Sequence, residues 1–467
     1  MTGTILDRIL DAKRRRLGDG EFAPAPTAPA LAPDGARFES ALRAAPAVIA
    51  EIKHRSPSAG EILPGAAARV EAVANGYRRG GAAALSIVIE QDFFGGDPAW
   101  LPRAKAASGL PVLMKDFIVD ERQVEFAASI GADAILLIVC ALDRAALSRL
   151  HRRALELGLA VLVEAHDEDE ARSAVDAGAR IVGVNARDLR TFRVDLDRMA
   201  RLGEAMPTGV VRVAESGIGG VDDVRRLSRS GYGAFLVGES LLRSGDVARG
   251  VRLLRGKGTT EVKVCGLTRE EDLKACRELG VDHVGLNFSP LSPRRLSTRD
   301  GARLRGAAEG FSRVVAVFAG NPAEEIEEIV RAVRPDVLQL TDPPEGDLAR
   351  EWPKPVWQVV HVTDSLAVPG WPGERLLFDT GGKGSPGGTG ETFDWRHFQE
   401  RRPSRPFVLA GGIRPENAAE AVRLVRPWGV DVASGVESAP GIKDREKIGR
   451  FVREVRSVPD LPVEEQR

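Results

Sequence analysis

Along the chain, short apolar runs alternate with stretches of roughly 10 to 15 residues whose apolar positions recur at helical spacing, and this alternation occurs twice. The first series is AVIAEI (47–52), ALSIVI (84–89), PVLM (111–114), AILLIV (134–139), AVLV (160–163), IVGV (181–184), VVRV (210–213) and AFLV (234–237). Near-continuous apolar strands separated by helices are what a parallel sheet covered on its outer face requires. Eight such units predict a closed (β/α)₈ barrel, a fold of about 250 residues. Ahead of it, ILDRILDAKRRRL (5–17) predicts an additional helix, and the Ala/Pro-rich stretch 22–33 ends it. A Gly/Lys/Thr segment at 256–260 then separates a second series: EVKV (261–264), HVGLNF (283–288), RVVAVF (313–318), DVLQL (336–340), PVWQVV (355–360), RLLFD (375–379), PFVLA (406–410) and VDVA (430–433). The predicted fold is α/β, two consecutive (β/α)₈ barrels over residues 1–255 and 256–467, the first with an N-terminal helical extension.

The last two strands of each series are followed by matching glycine-bearing turns. ESGI (215–218) precedes VGES (237–240) by about the interval that separates AGGI (410–413) from ASGV (433–436). Loops after strands seven and eight of such barrels commonly bind phosphate through backbone N–H groups, and glycine permits the close approach.

Composition narrows the function classes. Lys+Arg 66 against Asp+Glu 67 leaves a net charge of -1, which argues against a general nucleic-acid or polybasic membrane binder. The longest apolar run, 134–142, is far short of the about 20 residues of a membrane span. The charged N-terminal segment 1–20 lacks a signal-peptide core, so the expected location is the cytoplasm. Three scattered cysteines and six histidines without HExxH predict no disulfide framework, no metal and no cofactor.

Polar residues without a packing role fall where the strands of the first series end: Glu51 and Lys53, Lys115, Glu164, Asn185, then Glu215 and Ser216. All would face one rim, where barrel enzymes draw catalytic groups from several strands. Two lysines and three carboxylates there suit acid–base chemistry, with a lysine whose pKa is lowered donating a proton near neutrality.

EIKHRSPSAG (51–60), FFGG (93–96), VLMKDFIVDERQ (112–123), ADAILLI (132–138), VEAH (163–166), GVNARDL (183–189), VAESGI (213–218) and FLVGESLL (235–242) closely resemble the indole-3-glycerol-phosphate synthase family, over about residues 4–254. The resemblance implies ring closure of carboxyphenylaminodeoxyribulose phosphate with loss of carbon dioxide and water, and an early helix lying over the barrel mouth. It implies Lys115 as general acid toward the substrate carbonyl, Lys53 on the substrate carboxylate, and Glu164 as the base of the dehydration. Glu51 and Asn185, with Ser216 beside them, would orient these groups, while Ser56, Gly217 and Gly238 would hold phosphate and Phe94 and Phe117 would pack on the anthranilate ring. Asp97 stands where that family often has Ser.

In the second series Cys265 ends the first strand and Asp379 the sixth, and GGKGSPGGTG (381–390) after it reads as a mobile loop. A cysteine base and a carboxylic acid on one rim could move protons on a sugar without a metal. Cys265 is expected to be reachable and activated, Cys140 and Cys276 to be buried and inert. VKVCGLTREEDL (262–273), GLNFSPLSPR (285–294), LLFDT (376–380), GGTGETFDW (387–395), VLAGGIRPEN (408–417) and DVASGVESAPGIKD (431–444) resemble phosphoribosylanthranilate isomerases. That implies an Amadori rearrangement with Cys265 as base at the sugar C2, Asp379 as acid opening the ring and Arg294 on the anthranilate carboxylate. Gly388, Gly390, Gly411, Gly412, Ser434 and Gly435 would cradle phosphate. QLTD (339–342) replaces the usual QLHG, so contacts after the fourth strand differ.

Two alternatives are a histidine-pathway sugar isomerase and a non-catalytic interaction module in the second barrel. The first uses two aspartates, and Cys265 occupies the place of one. The second would have lost an acid or base, yet Lys115, Glu164, Cys265 and Asp379 are all present. The expected ligands are phosphorylated anthranilate-ribose compounds, with no nucleic acid and no membrane.

Overall fold

A computed structural model of the chain describes residues 4–22, 32–187, 193–341, 351–362, 373–380, 392–400, 402–403 and 405–459. Contacts divide it into two compact units, Met1–Gly256 and Lys257–Arg467. No helix among the described residues is long and apolar enough to cross a membrane.

In the first unit, eight parallel strands close into a ring: β1 (Ala47–Ile52), β2 (Ala84–Val88), β3 (Val112–Lys115), β4 (Ala134–Ile138), β5 (Ala160–Ala165), β6 (Ile181–Asn185), β7 (Val211–Glu215) and β8 (Ala234–Val237). Closure is direct, with Ala47 paired to Ala234 and Ala50 to Val237. Although the strands read as continuous apolar runs, their two faces differ. Val48, Ala50 and Ile52 of β1, like Val161 and Val163 of β5, face outward to the helices, while Ala47, Ile49, Leu113, Leu136, Leu162 and Val213 fill the interior. Phe38 and Leu42, from helix α2 (Gly35–Leu42), join the interior cluster. Full burial of Phe38 contributes roughly 2–3 kcal/mol.

Because side chains alternate strictly along a strand, the last inward position of several strands is a polar residue: Glu51, Lys115, Glu164, Asn185 and Glu215. Parallel register sets Asn185 beside Glu215 and Glu51 beside Ser86. The polar rim is thus the top layer of the interior stripe. Helix α1 (Ile5–Gly18), started by a Thr4–Asp7 capping box, adds Ile5, Leu6 and Ile9 to the same cavity.

The second unit repeats the plan with β9 (Glu261–Cys265), β10 (His283–Asn287), β11 (Arg313–Ala319), β12 (Val337–Thr341), β13 (Val356–Val362), β14 (Arg375–Thr380), β15 (Phe407–Leu409) and β16 (Gly429–Val432). Closure pairs Glu261 with Gly429. Its interior is more polar than the first. At mid-height the fully buried Lys263 reaches Asp431 (2.7 Å) and Gln339 (3.0 Å). Lower down, Trp357, Trp428 and His283 pack ring against ring, and the Arg375 guanidinium lies 3.7 Å from the Trp428 centroid. Observed strand ends differ from the sequence expectation by one or two residues.

Candidate active sites of the two barrels

The rim of the first barrel opens into a cavity of about 430 Å³ lined by Glu51, Lys53, Ser56, Phe94, Lys115, Phe117, Glu164, Asn185, Glu215, Ser216, Gly217 and Gly238. Every residue singled out there from sequence therefore converges on one space. Lys115 Nζ lies 2.8 Å from Glu215 Oε2 and 3.8 Å from Glu164 Oε2, and Lys53 Nζ lies 2.8 Å from Glu51 Oε1. Asn185 Nδ2 donates to Glu164 Oε1 at 3.0 Å, and Asn185 Oδ1 accepts from the Arg187 amide. Phe94 and Phe117 stand 6.1 Å apart, tilted, as one apolar wall.

These contacts correct one expectation. Lys115 is not a lysine of lowered pKa: burial works against its charge, but Glu215, Glu164 and Glu51 outweigh burial and hold it above the usual lysine value. The compensating change is in Glu215, which burial, against the pull of Lys115 and with the charges of Glu164 and Glu51, pushes above the usual carboxylate range. Glu215 Oε1 is buried and accepts no hydrogen bond from the described residues. Glu51 moves the other way, since Lys53 and Lys115 outweigh its burial.

The turn after β7 holds Ser216 and Gly217 in left-handed backbone (φ 68° and 75°), and the turn after β15 does the same with Gly411 and Gly412 (φ 83° and 61°). Successive amides in a tight turn of this kind can make an anion-binding concavity. A left-handed Ser costs on the order of 1–2 kcal/mol, a strain that points to function. Short helical turns follow β8 (Glu239–Arg243) and β16 (Ser434–Val436). Gly238 has no room for a side chain, because a Cβ would lie 2.6 Å from Glu51 Oε1.

The second rim opens into a cavity of about 330 Å³ lined by Cys265, Arg294, Gln339, Thr341, His361, Asp379, Gly411, Gly412, Asp431 and Ser434. Gly435 is not among its lining residues, and a Cβ there would meet the Ile413 carbonyl at 2.3 Å. Gly388, Gly390 and the 381–390 loop lie outside the described residues. Burial and the neighbouring Asp431 push the Asp379 carboxyl up to about 6, against the Thr380 amide that donates to it at 2.8 Å and the charges of His361 and Lys263. Cys265 lines the cavity but is buried, and burial raises its thiol pKa more than Lys263 lowers it. The resting thiol is therefore not the activated one that the sequence suggested. The Arg294 fork is engaged by Glu437, with Nε and Nη2 at 2.8 and 2.6 Å from its carboxylate.

Cys140 departs further. β4 ends at Ile138, the chain turns through Val139–Ala141, and the Cys140 side chain is exposed rather than buried, whereas Cys276 is fully buried as expected.

Several lining or supporting residues escaped the sequence reading. Lys263 and Asp431 were readable in principle, being two positions from Cys265 on the same strand face and in the last apolar run. Asp116, whose carboxylate meets Lys13 of α1, and Arg187 and Arg243 in the first cavity gave no periodic signal.

Family models described as "Indole-3-glycerol phosphate synthase" and "N-(5'phosphoribosyl)anthranilate (PRA) isomerase" match residues 6–254 and 262–454. The chain is 35% identical over 424 residues to the "Tryptophan biosynthesis protein TrpCF" of Haemophilus influenzae, covering 86% of this chain and 85% of that one. It is 32% identical over 555 residues to the "Multifunctional tryptophan biosynthesis protein" of Phanerodontia chrysosporium, covering 97% of this chain and 70% of that one. Among solved structures, TrpF from Jonesia denitrificans is 35% identical, covers 42% of this chain and 96% of its own, and gives a TM-score of 0.38.

Proposed function

Because the chain belongs to the family that joins indole-3-glycerol-phosphate synthase to phosphoribosylanthranilate isomerase, we propose that each rim carries one step of a two-step conversion in tryptophan biosynthesis. The second barrel rearranges N-(5-phosphoribosyl)anthranilate to the carboxyphenylaminodeoxyribulose phosphate. The first closes the indole ring of that product with loss of carbon dioxide and water. Phosphorylated anthranilate-ribose compounds are the ligands, and the cytoplasm is the proposed compartment.

In the first barrel Lys115 donates a proton to the substrate carbonyl, Lys53 holds the carboxylate and assists closure, and Glu164 removes a proton in the dehydration. Glu51 and Asn185 orient them. Ser216 stands beside them, Ser56, Gly217 and Gly238 hold phosphate, and Phe94 and Phe117 flank the anthranilate ring. The observation that carries this reading is Lys115 held between Glu164 and Glu215. Glu215, whose carboxyl is pushed up by burial and by the charges of Glu164 and Glu51, is placed to replace the proton that Lys115 gives away.

In the second barrel Asp379 opens the ribose ring as acid, and a pKa of about 6 in place of an ordinary aspartate value supports that role. Cys265 takes the C2 proton as thiolate, stabilised by Lys263 beneath it. Arg294, its plane fixed by Glu437, contributes positive charge toward the anthranilate carboxylate. Gly411, Gly412, Ser434 and Gly435, with Gly388 and Gly390, cradle the phosphate.

Purified full-length protein supplied with phosphoribosyl anthranilate and a chelator should yield indoleglycerol phosphate, because every donor and acceptor named is a side chain. Activity abolished by the chelator and restored by metal would refute this division of labour, and accumulation of the rearranged sugar would localise the failure to the first barrel.

A further inference from the structure

Beside the first rim, three donor side chains of different chemistry meet at one point. Cys140 comes from the turn after β4, His166 follows β5 directly, and Glu170 lies in the first turn of the helix Glu168–Asp176. Cys140 Sγ is 3.8 Å from His166 Nδ1, and Glu170 Oε2 is 3.1 Å from the same nitrogen. All three donor atoms lie within 4.8 Å of one another. A tetrahedral zinc ion with bonds of about 2.3 Å to sulfur and about 2.0–2.2 Å to nitrogen and oxygen spans roughly 3.5 Å from S to N and roughly 3.4 Å from N to O. The observed separations bracket those edges, and the exposed Cys140 can approach the other two donors by a small movement of its turn.

The other ring nitrogen is buried, makes no hydrogen bond with the described residues and faces a carboxylate. His166 Nε2 lies 3.5 Å from Glu164 Oε1. A carboxylate behind a ring whose other nitrogen meets a metal is the arrangement that orients and strengthens histidine ligands. We propose that Cys140, His166 and Glu170 form a binding site for a borderline-soft divalent cation of the zinc class, and that the ion acts on the synthase through the His166 ring and Glu164. Binding forms one bond each to Sγ, Nδ1 and a Glu170 oxygen, leaving solvent at the fourth position. The thiol loses its proton, and the ring loses the Nδ1 proton while keeping Nε2–H toward Glu164, so up to two protons pass to solvent per ion. Glu164 Oε1, already accepting from Asn185, is then held by a second donor and is less free to turn toward the substrate. The effect on activity, though not the site itself, rests on the assignment of Glu164 as base.

Cobalt(II) titrated into the metal-free full chain tests the site. One equivalent should bind with a thiolate-to-metal absorption band in the near ultraviolet. Cys140→Ser should abolish the band, Glu170→Gln should weaken binding by about 10- to 100-fold, and Cys265→Ser should leave the band unchanged. No band in the wild-type chain, or a band that survives Cys140→Ser, overturns the site. One equivalent of zinc should lower synthase activity at least tenfold and spare isomerase, with recovery on adding chelator and no effect on Cys140→Ser. A chain that shows the cobalt band but an unchanged synthase rate with zinc overturns the coupling. In that case the rate of Glu164→Gln shows whether Glu164 is the base at all.

Discussion

Lys13 Nζ lies 2.7 Å from Asp116 Oδ1, with both side chains almost completely buried, so the helix that borders the first cavity is tied to the residue next to Lys115. Removing one partner of such a pair leaves an uncompensated charge worth about 3–5 kcal/mol, and taking away Lys13 leaves Asp116, already pushed up by burial, to take up a proton and frees α1 from its tie to the barrel. Lys13→Ala should therefore raise the synthase KM at least tenfold and leave isomerase KM unchanged. Equal KM values for mutant and wild type would show that α1 takes no part in substrate binding.

Lys115→Ala should remove synthase activity and spare isomerase, and Asp379→Asn should do the reverse, each by about 10²–10⁴ in rate. Assaying both steps on each variant decides it, since parallel loss of both activities in a folded protein contradicts the assignment.

The Asp379 variant also carries a stability prediction. An unfolded aspartate ionises near its ordinary value of 3.8, whereas the native chain keeps its proton until about 6. Stability from this group is full below the unfolded value and is lost as pH rises through about 6, amounting to roughly 3 kcal/mol at neutral pH. Asp379→Asn should be more stable than wild type at pH 7 and equal to it near pH 3.5. Five of the six tryptophans lie beyond residue 257, so denaturant melts followed by fluorescence report on this barrel.

A Cβ at Gly183 would lie 2.1 Å from Glu215 Oε1. Gly183→Ala should push Glu215 away from Lys115 and lower the synthase rate at least tenfold, with the isomerase of the same preparation as an internal control. An unaffected rate would mean that the Lys115–Glu215 contact is dispensable.

Thiol alkylation should proceed in two phases. Cys140, exposed, should label first without loss of isomerase activity; Cys265, buried with a raised pKa, should label slowly, in step with isomerase loss and faster at higher pH. Peptide mapping that found Cys265 modified in the fast phase would contradict this order.

What the sequence conveyed and what it withheld follow from the range of the interactions. Strand periodicity is local, so the ring of strands and the polar ends at Glu51, Lys115, Glu164, Asn185, Glu215, Cys265 and Asp379 were legible from short windows. Electrostatic character is not local. Lys115 is set by carboxylates from three other strands, and Arg294 meets a carboxylate 143 positions away. Cys140 was misplaced because an apolar run does not say where a strand stops: every residue of Ala134–Ile138 is buried and none of the turn Val139–Ala141 is. The donor cluster at Cys140 was invisible for the same reason, since His166 and Glu170 belong to the next βα unit.

Pairing of first strand to last has a consequence for how the chain is made. Until Val237 is synthesised the first sheet is open, with two unsatisfied edges that could accept any parallel strand, and the second series offers eight. The second ring cannot close until Val432, about 195 residues later. At roughly 5–20 residues per second this gives the first sheet some 10–40 s to seal before its rival is complete. Vectorial synthesis thereby protects a tandem of look-alike sheets from exchanging strands, a protection lost when the denatured chain refolds all at once in the test tube.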